Sequence, residues 1–200
     1  MRRHFAQRRI SEQQQRLTQY SAQLAQQTQV AQQREAALQQ AHRNAQYTFQ
    51  QQYVTGLNEQ RQRIGGYSNY DYAGDPYFYT PPTFRYLRAG TYYETNEYGA
   101  NVLRDAINIG YQEGFMAGAA DRQDHWRFDY RDSFAYQDAD YGYRGFYVSR
   151  AEYNYYFRQG FRRGYEDGYY SRARYGTQVS GKYSIAGAIL STILNLRSIR

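Results

Sequence analysis

The sequence contains no cysteine, which excludes disulfides, thiolate nucleophiles and zinc–sulfur sites. Lys182 is the only lysine, and leucine, isoleucine and valine are sparse for a chain of 200 residues. The three prolines all lie between residues 76 and 82. No apolar run reaches the roughly 20 residues that a membrane-spanning helix needs. The composition therefore argues against both a spanning helix and a thick aliphatic core.

Tyrosine is the residue that takes the place of the missing aliphatic side chains, with 26 copies beside 10 phenylalanines. We expect a core built largely from tyrosine rings, whose hydroxyls need hydrogen-bond partners or solvent. The basic residues are almost all arginine, which stacks on aromatic rings and pairs with carboxylates. The net charge of +7 lies mainly at the two ends of the chain, because residues 85–176 carry thirteen arginines and thirteen acids.

A ladder of glycines spaced by four occurs twice, and the two copies lie 50 residues apart. The ladder positions are Gly110, Gly114 and Gly118 in the first copy and Gly160, Gly164 and Gly168 in the second. A spacing of four puts the glycines of one copy on one face of a helix. Each helical glycine costs about 1 kcal/mol relative to alanine, and close approach of another backbone would offset that cost. We predict two helices, near 97–122 and 152–172, packed as a helical hairpin with their glycine faces together.

The register between the two copies is open at the level of sequence. An offset of 50 aligns all three glycines, whereas an offset of 54 aligns residues 110–115 better with residues 164–169. Glycine at every fourth position is also typical of membrane helix pairs. Charged residues on these helices, such as Glu113 and Arg163, argue against burial in lipid.

Residues 1–64 form a glutamine-rich arm that has no glycine or proline before Gly56. Apolar residues repeat every seven positions along it, and the seam consists of Ile10, Leu17, Leu24 and Leu38, with Ala31 between the last two. One apolar residue per heptad predicts a long helix with a narrow seam that can form a coiled coil. The alternatives are a solvated helix and a disordered glutamine-rich arm.

The remaining segments complete an all-α expectation: the long N-terminal helix, the Tyr/Gly-rich hairpin and irregular connections. Glycines and prolines over 65–90 predict a linker whose tyrosines lie across the helical body. Residues 91–176 hold the duplicated glycine-ladder domain, with an irregular connection over 123–150. Residues 177–200 predict a short amphipathic helix that docks on the body or on a partner protein, with a peripheral membrane contact as the alternative.

Two acidic motifs are the candidates for chemistry. Asp138 and Asp140 match the opening of a calcium loop, but Tyr143 and Ser149 stand where that loop needs glycine and a bidentate glutamate. These two aspartates are therefore weak metal candidates, and a turn is the simpler interpretation.

The second motif, residues 121–126, combines Asp121 and Asp124 with His125, a set that could share a metal or orient an imidazole. We favour a helix end in which Asp121 pairs with an arginine and Trp126 packs.

The glycine segments, GYQEGFMAG at 110–118 and YYFRQGFRRGYEDGY at 155–169, are similar to those of uncharacterised bacterial proteins with GYxxGxxxG-type repeats. That group is associated with acidobacterial-like genomes and is often exported. The resemblance covers residues 92–176 and implies an envelope or extracytoplasmic location, without catalytic residues. No signal peptide is visible after Met1, so a cytoplasmic location is the alternative.

Together these patterns predict a structural or protein-interaction component of the bacterial cell envelope, without a cofactor and not an enzyme. We expect it to assemble as a homo-oligomer or in a larger protein complex, through the N-terminal helix and the glycine-faced pair. A nucleic-acid-associated basic protein is the alternative, although the aromatic body is neutral and lacks a known binding signature. A calcium- or metal-dependent binding module is the second alternative.

Overall fold

A computed structural model describes residues 2–199 and shows a mostly α fold in which 66% of the residues are helical, the short 3₁₀ helices Gly66–Asn69, Pro76–Phe78 and Tyr130–Asp132 included. The helices are α1 (Arg2–Gln40), α2 (Asn44–Gly65), α3 (Glu97–Gln123), α4 (Phe134–Asp138), α5 (Arg150–Tyr169) and α6 (Gly187–Leu194). The strands are β1 (Phe84–Arg88), β2 (Thr91–Thr95), β3 (Gly176–Val179), β4 (Lys182–Ile185) and β5 (Arg197–Ser198). The expectation of an all-α fold is therefore corrected by these five short strands.

The N-terminal arm consists of two antiparallel helices, which corrects the single long helix expected over residues 1–64. The Gln50 side chain of α2 donates to the Ala31 carbonyl of α1 at 2.9 Å, and the Gln60 side chain reaches the Tyr20 hydroxyl further along. Residue numbers thus rise along one helix as they fall along the other. The heptad seam of α1 is covered by residues of the same chain.

The turn between α1 and α2 is held by contacts from the far end of α3 and from the connection that follows it. Buried Arg43 donates to Asp121 at 2.8 Å and to Asp132 at 2.7 Å. The Asp124 carboxylate accepts the backbone N–H groups of Ala45 and Gln46, which caps the first turn of α2. Because tertiary contacts hold this break, no glycine or proline marks it in the sequence.

Helices α3 and α5 run parallel, which corrects the predicted hairpin. Gly110 of α3 lies against Phe157 of α5, and eight residues later Gly118 lies against Tyr165. The chain between the two helices therefore returns along the body, so that the residues before α5 lie beside the start of α3. Because this connection is long, α5 can run either parallel or antiparallel to α3. The sequence pattern does not distinguish the two directions.

Two β-hairpins occupy segments where the sequence predicted no strand: the first spans the boundary between the predicted linker and the glycine-ladder domain, and the second lies at the start of the predicted C-terminal helix. Strands β1 and β2 pair around Ala89 and Gly90, and β3 and β4 pair around Ser180 and Gly181. All four turn residues have positive φ, the requirement of a type I′ hairpin turn. Strand β5 adds to the free edge of β1, so the C-terminus closes a three-stranded sheet.

The core is built from tyrosine, as the composition predicts. The largest fully buried side chains are Tyr20, Tyr53, Tyr86, Tyr111, Tyr143, Tyr153, Tyr156, Tyr165, Phe78, Phe157, Phe161 and Leu24. Helix α6 docks on this core through Leu194, which is 1% exposed. Within residues 2–199 no helix is long and apolar enough to cross a membrane.

Candidate functional site

The six ladder glycines all lie in the contact between α3 and α5. A Cβ at Gly160 would lie 2.9 Å from the Tyr111 nitrogen, and a Cβ at Gly164 would lie 2.9 Å from the Phe115 nitrogen. Cβ atoms at the other four positions would collide with backbone of the opposite helix in the same way. Each glycine instead turns a hydrogen towards a carbonyl oxygen, the arrangement of a weak Cα–H···O contact.

The contacts of the ladder are two-fold symmetric and identify the register. Gly110 meets the carbonyl of Phe157, and Gly160 meets the carbonyl of Ile107, which is Phe157 shifted back by 50. The contacts of Gly114 and Gly164 are related by the same shift of 50 residues. The offset of 50 is therefore the structural register of the duplication, and the offset of 54 is wrong for the packing.

The predicted coiled-coil seam lies largely inside the chain. Leu24 is 1% exposed and Leu38 is 8% exposed, whereas Ile10 and Leu17 are half-buried. Buried positions of α1 follow two heptad rows in succession, namely Ala6, Gln13 and Tyr20, then Leu24, Ala31 and Leu38. The seam thus packs against α2 and the connection between α3 and α5, and coiled-coil assembly between chains stays a prediction.

Asp138 and Asp140 are buried, and protein groups surround them. Arg150 Nε donates to both Asp140 oxygens at 2.9 Å, and Asn154 Nδ2 donates to one of them at 2.7 Å. Tyr53 donates to Asp138 at 2.7 Å. Burial, with the nearby Asp140 charge, raises the pKa of Asp138 to about 7. Across residues 2–199 no group of three or more acidic or histidine side chains could hold a metal ion.

The motif at residues 121–126 is the helix end that we favoured. Asp121 pairs with Arg43 at 2.8 Å and also accepts the Tyr165 hydroxyl. Trp126 lies under the Arg43 guanidinium, 4.4 Å from it. His125 is exposed, so the structure does not bring it into a site with the two aspartates.

A repeated pairing of tyrosine hydroxyl with carboxylate, buried in every case except half-buried Glu152, holds the body together. The pairs are Tyr53 with Asp138, Tyr111 with Asp167, Tyr165 with Asp121, Tyr147 with Asp75 and Tyr86 with Glu152. Burial raises the pKa of all five tyrosines, so their hydroxyls remain neutral donors. These carboxylates are thus committed to cohesion.

Glu113 differs from the other buried acids because no hydrogen bond from the described part of the chain reaches its carboxyl. It lies on α3, is 7% exposed and stands near the rings of Tyr53, Tyr141 and Tyr153. Burial alone raises its pKa to about 8. Glu113 is therefore an isolated carboxyl group that can hold a proton, between the arm and the pair of glycine-faced helices α3 and α5, which we call the glycine pair.

The concave surface with the best-formed aromatic walls is a pocket of about 320 Å³, which we call the tyrosine cleft. It is lined by Tyr67, Tyr70, Val102, Asp105, Ile109, Gly142, Arg144, Phe146, Tyr147 and Tyr153. A second depression of about 460 Å³ shares four of these residues and extends the cleft towards Arg63 at the end of α2. The two together form an elongated groove between α2, α3 and the connection that precedes α5.

The walls of the tyrosine cleft are fixed in place. The Tyr70 ring packs on Phe146 with centroids 4.4 Å apart, and Tyr67 meets Phe146 edge-on at 5.0 Å. The hydroxyls of Tyr70 and Tyr147 both donate to Asp75, so these rings are held by a shared anchor. Such pre-ordered aromatic walls reduce the entropy lost when a partner binds.

Two charged side chains of the cleft remain uncommitted. Arg144 and Asp105 are exposed, and neither makes a hydrogen bond or ion pair with any of the side chains described, those of residues 4–199. Partial burial of the Asp105 carboxyl raises its pKa, and the Arg144 charge opposes that shift. The cleft therefore combines aromatic surface with one free donor group and one free acceptor group, and sequence reasoning alone did not single out either residue.

Comparison with protein-family models, curated proteins and solved structures finds no match to this chain. The resemblance to bacterial GYxxGxxxG repeats therefore stays a prediction, and function has to be argued from the site itself.

Proposed function

We propose that this protein is a non-catalytic interaction component that binds a protein partner through the tyrosine cleft. The observation that carries the proposal is the presence of uncommitted Arg144 and Asp105 between fixed aromatic walls. Clefts of a few hundred Å³ with apolar walls and a few polar groups are the usual form of a binding site. Tyrosine and arginine are also the residue types most enriched at the energetic centres of protein interfaces.

The occupant that suits the cleft is an extended polypeptide segment with side chains of both charge signs. Its apolar side chains would cover the rings of Tyr67 and Tyr147, a basic residue would pair with Asp105, and an acidic residue would pair with Arg144. The elongated shape of the groove supports a segment of several residues rather than a single small molecule. The envelope location implied by the resemblance stays a prediction.

Assembly through the predicted surfaces would require the body to open. The arm seam at Leu24 and Leu38 and the glycine faces of α3 and α5 are both covered within one chain. Light scattering on a sizing column, at low and high salt, measures the predicted homo-oligomer directly. The absorbance ratio at 260 and 280 nm in the same run measures bound nucleic acid, the alternative function.

The test of the cleft uses a photoreactive p-benzoylphenylalanine at position 67 in native cells. A matched control carries it at position 92 on β2, where Tyr92 is 46% exposed and outside the cleft. We expect a discrete protein adduct at position 67 that is lost when Arg144→Glu is added, and none at position 92. Equal labelling at both positions, or an adduct that persists with Arg144→Glu, would contradict the proposal.

A further inference from the structure

A further cleft, which shares no lining residue with the tyrosine cleft, is lined by arginines. It lies between α1 and the start of α5 and has a volume of about 500 Å³. Its lining residues are Arg16, Gln19, Tyr20, Gln23, Tyr143, Ser149, Arg150, Ala151, Asn154 and Arg158. Three residues with a guanidinium group, three with an amide and three with a hydroxyl therefore line one space, and no acidic residue is among them.

The arginines are held in position by the body. Arg150 uses its Nε on the buried Asp140 at 2.9 Å, which leaves its terminal nitrogens for another partner. Arg158 donates to the carbonyl oxygens of Tyr136 and Gln137 at 2.8 and 2.5 Å. Arg16 makes a long contact of 3.5 Å to the Tyr147 carbonyl. A ligand would therefore meet guanidinium groups whose orientation is largely set beforehand.

The charges around the cleft favour an anion. Asp140 offsets Arg150, and Glu12 lies 3.9 Å from Arg16, whereas Arg158 has no carboxylate partner among residues 2–199. Guanidinium forks match the oxygens of phosphate in pairs. The remaining N–H groups of three guanidinium groups, on two helices, suit a ligand with several oxygens better than a single carboxylate.

The aromatic residues of the cleft distinguish this ligand from a nucleic-acid strand. Tyr20 and Tyr143 are each 1% exposed, so their rings are not available for stacking on bases. Recognition of single strands without sequence preference relies on such stacking. We propose that the cleft binds a small phosphorylated ligand through Arg16, Arg150 and Arg158. This site is separate from the tyrosine cleft, and either proposal can fail without the other.

The test measures binding of inorganic pyrophosphate to the full chain by titration calorimetry, with ionic strength held constant by sodium chloride. We expect saturable binding to one site, with the Kd raised at least tenfold by Arg158→Gln and by Arg16→Gln. Arg122→Gln removes an exposed arginine of α3 outside the cleft and should leave the Kd unchanged. Circular dichroism verifies that each variant is folded. If Arg158→Gln does not fold, the Kd of Arg16→Gln decides the result.

Parallel experiments identify the source of the phosphate. Sedimentation with phosphatidylcholine vesicles that contain phosphatidic acid, dependent on Arg158, would identify a lipid headgroup. Binding of pyrophosphate without vesicle binding would identify a soluble ligand. The proposal is overturned if neither pyrophosphate nor vesicles bind, if Arg122→Gln weakens binding as much as Arg158→Gln, or if only nucleic acid binds.

Discussion

Helices α3 and α5 meet through six glycines, whereas α1 and α2 meet the rest of the chain through long side chains, chiefly glutamine and tyrosine. In the glycine pair, backbone lies on backbone, and no added atom can be accommodated between the helices. In the arm, buried amides such as those of Gln13 and Gln60 bridge to the backbone of the connection before α5. The stability of the α3–α5 contact should therefore be sensitive to added volume, whereas the packing of α1 and α2 should be sensitive to lost hydrogen bonds.

The largest effect is expected when volume is added to the glycine pair. Gly114→Leu or Gly164→Leu places a side chain where even a Cβ collides with backbone of the opposite helix. We expect a loss of several kcal/mol, enough to open or unfold the body. Gly66→Leu is the matched control, because nothing lies within 4 Å of a Cβ there. Equal urea midpoints for the Gly114 and Gly66 variants would contradict close packing.

The next effect concerns Glu113, which lies between the two regions. Its pKa is about 8 in the folded protein against an ordinary 4.5, so the folded state holds a proton that the unfolded state has released. Glu113 should therefore lower the stability between pH 4.5 and 8, by at most about 1.4 kcal/mol per pH unit, and its contribution should level off above pH 8. Asp138, whose pKa is also raised, adds a separate fall in the same range, so Glu113→Gln should reduce the slope in urea melts at pH 5, 6.5 and 8 without abolishing it. An unchanged slope would show that Glu113 does not titrate in this range.

An intermediate effect is expected in the arm. Gln60 accepts from the Gly142 N–H at 2.8 Å and donates to the Asp140 carbonyl at 2.9 Å. Gln60→Leu conserves volume but leaves the Gly142 N–H unpaired and removes one donor to the Asp140 carbonyl, which keeps the Tyr143 N–H, so we expect a loss of about 2 kcal/mol. Gln62→Leu changes an exposed glutamine of the same helix and should be nearly neutral. If Gln60→Leu and Gln62→Leu unfold at the same temperature in thermal melts, the buried amides do not hold the connection before α5.

A smaller effect is expected for the hydroxyls that link the glycine helices. Tyr111 donates to Asp167 at 2.8 Å, and this carboxylate keeps the N–H groups of Arg174 and Tyr175 as partners. Tyr111→Phe should therefore destabilise by only about 1.5 kcal/mol. Tyr92→Phe, at an exposed hydroxyl, serves as the control in the same thermal melts. A loss as large as that of Gly114→Leu would assign the cohesion of the pair to hydroxyls rather than to glycine.

The smallest effect has the opposite sign. Gly65 at the end of α2 has φ −57, and nothing lies within 4 Å of the place that an alanine methyl group would take, so alanine adopts its conformation without strain. Gly65→Ala should stabilise the protein by about 0.4–1 kcal/mol, because it restricts the unfolded chain. A destabilised variant in the same urea series would show that free space at a glycine does not predict its tolerance.

The periodic parts of the sequence predicted much of this fold. The glycine ladders located α3 and α5 to within a few residues, and the tyrosine content predicted the composition of the core. The direction of α5 could not be predicted, because the spacing of four is the same for parallel and antiparallel pairs. The break at residues 41–43 could not be predicted either, because contacts from Asp121 and Asp124 hold it.

The candidate sites were harder to predict from the sequence than the fold was. Asp138 and Asp140 stand out in the sequence as metal candidates, but their partners Tyr53 and Arg150 lie outside the motif. The two clefts draw their residues from segments far apart in the chain, and no local pattern marks Arg16 with Arg158 or Asp105 with Arg144. The hairpins did leave a local signal, because glycine follows a small residue at both turns, 89–90 and 180–181.

The parallel glycine pair is tested most directly by distances between spin labels, since the chain has no cysteine of its own. One double variant carries Arg122→Cys, in the last turn of α3, with Arg172→Cys, three residues beyond the end of α5, and the other carries Asn101→Cys with Arg172→Cys. Parallel helices predict a short distance for the first pair and a distance longer by roughly 30 Å, about 20 residues of helix, for the second. A long distance for the first pair with a short one for the second would contradict the account and restore the antiparallel hairpin.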